Sequence, residues 1–279
     1  MFHVEKMEDD DVPFAVQLSN TMNWNMTLAD FKFMMKLEPD GCFVLFHNQL
    51  RLGIATSISF GKAGWFGNLV VKEEARRKGA GKLLTKHAVN YLKKNGVKTV
   101  GLFAYPHLVN FYKSVGFTSD IDFTVLKGKA TVSQPQEMLT QATKRDVSEI
   151  IAFDRKRFGA NRRKLLEPIL LAPSNLCYIS TEKGSINGYI VAKVSGKTAE
   201  VGPLICSANR EDEALLLLEA ILSRLNGVEI FIYIPKKEAE LLNMLTTAGL
   251  KEDFDVIRMF LGSTFSKNCI CTAESLERG

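Results

Sequence analysis

The two halves of this chain repeat one another at an offset of 135 residues. Asp11-Val12 falls on Asp146-Val147, Cys42 on Cys177, Gly53 on Gly188, Gly61-Lys62 on Gly196-Lys197, and Gly67-x-Leu69 on Gly202-x-Leu204. A register unbroken over most of the first two-thirds of each half restricts the chain to folds that use one unit twice. At 279 residues, 46% of them hydrophobic, each half is long enough to enclose its own core.

The unit is mixed α/β. Each copy opens with a short strand, a turn holding the Asp-Val pair, and a helix with apolar residues at helical spacing, as at Val147, Ile150, Ile151 and Phe158. Alternating apolar runs then predict strands at Cys42 to Phe46, Gly53 to Phe60 and Gly64 to Val71, and at Leu176 to Ser180, Gly188 to Val194 and Glu200 to Cys206. Adjacent hairpins imply a largely antiparallel sheet. Both copies continue with a helix, a buried strand (Thr99 to Ala104; Val228 to Ile234), a proline, another helix and a Gly-apolar pair. A polar stretch, Lys127 to Gln136, marks the expected boundary, giving domains 1–130 and 135–279.

The copies diverge at one place. Pro106 matches Pro235 at an offset of 129, so the second copy has lost six residues after its third long strand. There the first copy carries Arg76-Arg77-Lys78-Gly79-Ala80-Gly81-Lys82, and the second offers Ser207 to Glu213, rich in acids. A strand, a glycine turn and a helix N-terminus let backbone N–H groups and the helix dipole meet a phosphate, while Arg76, Arg77 and Lys78 add mobile charge. Charge distribution agrees. Nine basic residues against two acids lie between Lys72 and Lys98, a local net of +7, and the rest of the chain is net −2. Positive charge confined to one segment favours a small polyanion over a nucleic acid, and no basic stripe interleaved with aromatic residues is apparent.

Other features exclude classes. No apolar run approaches the ~20 residues that span a bilayer, and the acids from Glu5 to Asp11 stand where a signal peptide would be basic and then apolar. A cytoplasmic protein is therefore expected, with no membrane partner. Cys42, Cys177, Cys206, Cys269 and Cys271 form no CxxC pair and lie near no histidines at ligand spacing, so no metal is expected.

The run from Val70 to Leu84, centred on Arg76-Arg77-x-Gly79-x-Gly81, resembles the acetyl-CoA motif of the GCN5-related N-acetyltransferase (GNAT) superfamily. Phe111-Tyr112-x-x-x-Gly116-Phe117 is similar to that family's last helix and strand. The resemblance covers the first half. The second half looks like a degenerate copy, as in a tandem subgroup that Asp154-x-x-x-Phe158-Gly159-Ala160-x-Arg162 also resembles. It implies two tandem acyl-CoA N-acyltransferase folds, the first catalytic and the second serving the substrate site or structure.

The resemblance further implies acetyl-CoA as co-substrate and attack by a primary amine, on a small molecule or peptide, through a tetrahedral intermediate. Leu69, Val70 and Val71 would bind the pantetheine arm through their backbone, and one N–H would polarise the thioester carbonyl. Arg76, Arg77, Lys78, Gly79, Ala80, Gly81 and Lys82 would hold the pyrophosphate. Tyr112 would protonate the leaving thiolate; Leu245 replaces it in the second copy. No carboxylate lies on Gly64 to Val71, so Glu38, Asp40 and Asp154 are candidate bases, each also readable as a surface or capping acid. Trp24 and Trp65 are candidates for an acceptor pocket or for the core. Tyr105 stands where relatives carry an asparagine, which brings in the alternative of a non-catalytic acyl-CoA sensor or scaffold. A homodimer is compatible with all of this.

Overall fold

The computed structural model describes residues 1–132, 139–264 and 269–279. In the first copy the elements are β1 (Phe2–Lys6), α1 (Val12–Asn20), α2 (Leu28–Leu37), β2 (Cys42–His47), β3 (Leu50–Phe60), β4 (Ala63–Val71), α3 (Ala80–Lys94), β5 (Thr99–Ala104), α4 (Val109–Lys113) and β6 (Thr118–Gly128). The second runs β7 (Thr140–Gln141), α5 (Val147–Phe158), α6 (Arg163–Leu171), β8 (Leu176–Glu182), β9 (Ser185–Ser195), β10 (Thr198–Ser207), α7 (Glu211–Leu222), β11 (Glu229–Pro235), α8 (Ala239–Thr247), β12 (Lys251–Leu261) and β13 (Cys269–Cys271). Every strand expected from alternation is present, most extended by a residue or more. Part of the expected boundary, residues 133–136, lies outside the described residues.

The two copies do not form separate sheets. One sheet runs β1-β2-β3-β4-β5-β12-β6-β11-β10-β9-β8-β7, with β13 paired to β10 off that path. The strand that follows the last helix of each copy crosses to the other: Ile257 to Leu261 of β12 pair with Ala104 to Val100 of β5, and Phe123 to Gly128 of β6 pair with Pro235 to Ile230 of β11. β6 and β12 then pair with each other at the centre. All neighbours are antiparallel except β4 with β5 and β10 with β11.

The cores follow the crossing. α3 packs Ala80, Leu84, Ala88 and Leu92 on the first half of the sheet, a core that also takes Met259 from β12. The core under α7 takes Leu126 from β6. A third core joins the halves, setting Ile58, Phe60 and Trp65 against Ile150, Phe158 and Leu165. No helix among the described residues is long and apolar enough to cross a membrane.

Strands exchanged at the centre of a continuous sheet couple the halves. Thermal unfolding is therefore expected as one cooperative transition with calorimetric and van't Hoff enthalpies in agreement; two resolved transitions in scanning calorimetry would contradict the coupling.

Candidate active site

β4 and β5 start in parallel register, Ala63, Gly64 and Trp65 beside Thr99, Val100 and Gly101, and pair no further. A bulge in β4 drives the divergence. Thr56 faces Gly67 and Ile54 faces Val70, so three steps on β4 oppose two on β3, with Asn68 turned to φ +49°. Asn68 Nδ2 donates to Thr56 Oγ1 at 3.2 Å, which holds the bulge. Beyond it, Val70 and Val71 remain paired with β3, while the side of Leu69, Val70 and Val71 toward β5 has no strand partner among the described residues. An extended ligand could pair there as an added strand.

The strand leads into the turn from Arg76 to Gly79. Arg77 (φ +61°) and Gly79 (φ +86°) are both left-handed, and α3 begins at Ala80 with Leu83 N–H the first to bond back to Gly79. The N–H groups of Ala80, Gly81 and Lys82 thus belong to the unsatisfied first turn of a helix. A side chain at Gly79 would meet nothing within 4 Å, so its requirement is conformational; at Gly81 an added Cβ would lie 3.5 Å from Phe111. Arg77, Lys78 and Lys82 are exposed beside the turn. Arg76 departs in part from its expected role: its Nε donates to the Val71 carbonyl at 3.0 Å, tying turn to strand and occupying an acceptor otherwise free for the ligand. These groups fit a pyrophosphate.

Tyr112 on α4 is 6% exposed and packs edge-on against Phe66, Phe111 and Phe117. Its hydroxyl makes no hydrogen bond to the described residues. Burial pushes the phenol above its ordinary value, so it stays protonated at neutral pH, as a donor to a thiolate must. Tyr105, in place of the expected asparagine, accepts a 2.9 Å hydrogen bond from Trp24 Nε1 and lies against His107 and Phe254. Trp24 is half-buried and joins this aromatic wall. Trp65 is 1% exposed, among Phe103 and Phe260, and is a core residue.

The second copy repeats the divergence and closes it. β10 and β11 pair only from Thr198 to Val201, and a bulge follows between Val201 and Leu204. β13 then fills the gap, pairing Cys271, Ile270 and Cys269 with Ile205, Cys206 and Ser207. α7 opens with Glu211, Asp212 and Glu213, which would repel an anion from its N-terminus.

Beyond β13, residues 272–279 run through the space between the two diverging strands. Thr272 bonds to Leu204, and Ala273 N–H reaches the Tyr233 carbonyl. The repeat-related glycines Gly202 and Gly67 both lie against this segment, Gly202 at Ala273 and Gly67 at Glu277. Leu276 O accepts from Trp65 Nε1 at 3.2 Å, and the Gly279 carbonyl accepts from Arg162 Nη1 at 2.6 Å.

The charges of the segment are buried and paired. Glu274, 0% exposed, takes Arg278 Nε at 2.9 Å and the ammonium of Lys193; Arg278 also pairs with Glu277. Lys193 bonds Glu200, whose other oxygen accepts from Tyr233 at 2.6 Å. Burial alone would raise the Glu274 carboxyl, but Arg278 and Lys193 outweigh it and hold it at about 2.

The three candidate bases all have other partners. Asp154 is held by Arg162 and Tyr189, each at 2.6 Å, in a fully buried pair that positions Arg162 on Gly279. Glu38 accepts from Tyr91 Oη at 2.6 Å and Ser59 N at 2.8 Å and pairs with Lys164, a tie between the halves. Asp40 is a surface acid 3.7 Å from Lys6. Their partners lie on other elements, beyond the view of local sequence.

Comparison with known proteins agrees with this geometry. The acetyltransferase (GNAT) domain family matches twice, over residues 38–119 and 150–269. The chain belongs to the GNAT acetyltransferase superfamily as a tandem of two such domains, and acyl transfer is the chemistry of that family. The uncharacterized N-acetyltransferase ycf52 of Gracilaria tenuistipitata var. liui is 33% identical over 98 residues, covering 32% of this chain and 53% of that protein. The chain thus spans about half the length of that relative. In fold it is similar to a putative acetyltransferase from Pyrococcus horikoshii (TM-score 0.81, 19% identity, 100% of this chain and 96% of that one). It is also similar to a GCN5-related N-acetyltransferase from Sphaerobacter thermophilus (TM-score 0.69, 12% identity, 95% and 98%).

Glu274→Gln leaves Arg278 and Lys193 buried without their shared carboxylate and is expected to destabilise the protein by about 3–5 kcal/mol in denaturant unfolding. Because the Glu274 carboxyl is held below its unfolded value of 4.5, its contribution is full above that pH and is lost as pH falls toward 2. The variant should therefore lose less stability than the parent between pH 5 and 2.

Proposed function

We propose that this chain is an acetyl-CoA-dependent N-acetyltransferase that moves an acetyl group to a primary amine, on a small molecule or peptide, by direct attack. The observation that carries the reading is the asymmetry of the two divergences. In the first domain an open strand leads to a left-handed turn and an unsatisfied helix N-terminus; in the second a strand fills the gap and acids occupy the first turn of the helix.

When bound, acetyl-CoA supplies the activated acetyl thioester. Ala80, Gly81 and Lys82 offer N–H groups to its phosphates, with Arg77 and Lys78 beside them. The unpaired edge of Leu69 to Val71 directs the pantetheine arm inward, and an N–H there polarises the carbonyl in a region shielded from water by Phe66 and Tyr112. Tyr112 gives its proton to the leaving sulfur. The second domain forms the far wall of the acceptor side through residues 272–279. Cys42, Cys177, Cys206 and Cys271 carry free thiols, which suits a reducing compartment, and we place the protein in the cytoplasm.

Calorimetry is expected to find one CoA per chain. Gly81→Asp, which sets a carboxylate in the phosphate cradle, should weaken CoA binding by at least about 100-fold, the scale of an unpaired like-charge contact, with little change in melting temperature. Two sites, or binding that survives the substitution, would contradict the reading.

Tyr112→Phe keeps the aromatic packing and removes the proton. It should lower kcat by about 10²-fold while leaving CoA affinity near that of the parent. The alternative, a non-catalytic acyl-CoA scaffold prompted by the carboxylate-free β4 and by Tyr105, predicts tight CoA binding with no thiol released from acetyl-CoA by any amine.

A further inference from the structure

An amine attacks only after it loses its proton, and a lysine-like amine holds that proton to a pKa of about 10.4 in water. β4 has no carboxylate between Ala63 and Val71, and Glu38, Asp40 and Asp154 are all committed elsewhere. One acid does reach the strand, from outside it. The Cα, Cβ and carbonyl oxygen of Glu277 lie 2.6–2.7 Å from the place a Gly67 Cβ would take, so Glu277 rests on bare backbone one residue before the bulge. Any side chain at Gly67 would push it away.

Its position is fixed from both sides. Leu276 is bonded to Trp65, and Gly279 lies over the Trp65 ring and is held by Arg162. Of the three carboxylates gathered here, Glu274 and Glu200 have both oxygens engaged, by Arg278 and Lys193 and by Tyr233 and Lys193. Glu277 bonds Arg278 through Oε1, and among the described residues its Oε2 makes no hydrogen bond.

We propose that Glu277, carried to β4 by residues 272–279, is the proton acceptor for the attacking amine. This rests on the acetyl-transfer reading above. Glu277 takes one proton from the substrate ammonium, the freed nitrogen lone pair forms the C–N bond to give the tetrahedral intermediate, and its collapse restores the carbonyl and breaks the C–S bond. Tyr112 gives a proton to the sulfur and regains one from solvent; the second proton of the attacking nitrogen leaves to solvent, as does the one held by Glu277. The products are an amide, a free thiol and one proton.

The groups facing Glu277 are Arg278 and Glu274 on its own segment, Glu200 on β10, Lys193 on β9 and Tyr233 on β11. Burial pushes its carboxyl up; Arg278 opposes this, Glu200 and Glu274 reinforce it, Lys193 opposes it, and the result lies above the ordinary value. A raised carboxyl is a stronger base, and activity then falls as pH drops through that value.

The test uses the full chain with acetyl-CoA and the primary amine it turns over fastest, drawn from a peptide N-terminus, lysine amide, spermidine and an aminoglycoside. Glu277→Gln is expected to lower kcat by about 10²–10⁴-fold, to remove the acid limb of the kcat/KM profile and to leave CoA affinity within about twofold of the parent. Glu277→Asp should recover part of the rate with the acid limb restored. A Glu277→Gln enzyme with the parent's kcat and pH profile overturns the assignment while leaving the transferase reading intact. Faster turnover by Glu277→Ala also overturns it, by making the segment an obstruction. A parent chain that binds CoA and releases no thiol with any of these amines refutes the transferase reading itself, and the role of Glu277 with it.

Discussion

Everything in this molecule turns on two parallel strand pairs that begin in register and then part. Backbone N–H and C=O groups at such a parting need partners, and the two copies answer differently. At β10 the chain's own β13 supplies them. At β4 the bulge at Asn68 turns the strand away from β5 and leaves Leu69 to Val71 with an unpaired edge that ends at a helix N-terminus. Duplication made two equivalent gaps, and the fold fills one from within.

The chain that follows β13 reaches the first gap as well. Residues 272–279 pass from Gly202 to Gly67, two glycines related by the repeat, and both must lack a side chain for the backbone to lie so close. A segment carrying Glu274, Glu277 and Arg278 would not be buried on hydrophobic grounds. It is buried because its charges answer one another and Lys193, and because fully buried Arg162, neutralised by Asp154 and stacked on Phe158, holds its end.

Much of this was legible in the sequence. The strands and the glycine turn before α3 follow from alternation and glycine placement, which act over a few residues. The exchange of β6 and β12 was not legible, because each has the same apolar pattern whichever sheet it joins, and only non-local register decides. The burial of Thr272 to Gly279 was not legible either, since nothing local reveals that Lys193 and Arg162 wait for it. For the same reason Glu38 and Asp154 looked available as bases: Lys164, Tyr91, Arg162 and Tyr189, which occupy them, come from other elements or from a turn away. The sequence allowed Trp65 in the pocket or in the core, and Gly279 lying on its ring belongs to contacts that no local pattern reveals.

Hydrogen–deuterium exchange with and without CoA tests the central claim most directly. Slowed exchange is predicted at the amides of Leu69 to Val71 and Ala80 to Leu83, with no change at Ile205 to Ser207, whose partners are already in β13. Protection appearing at Ile205 to Ser207 and the start of α7, or none at β4 and the turn that follows it, would contradict the account.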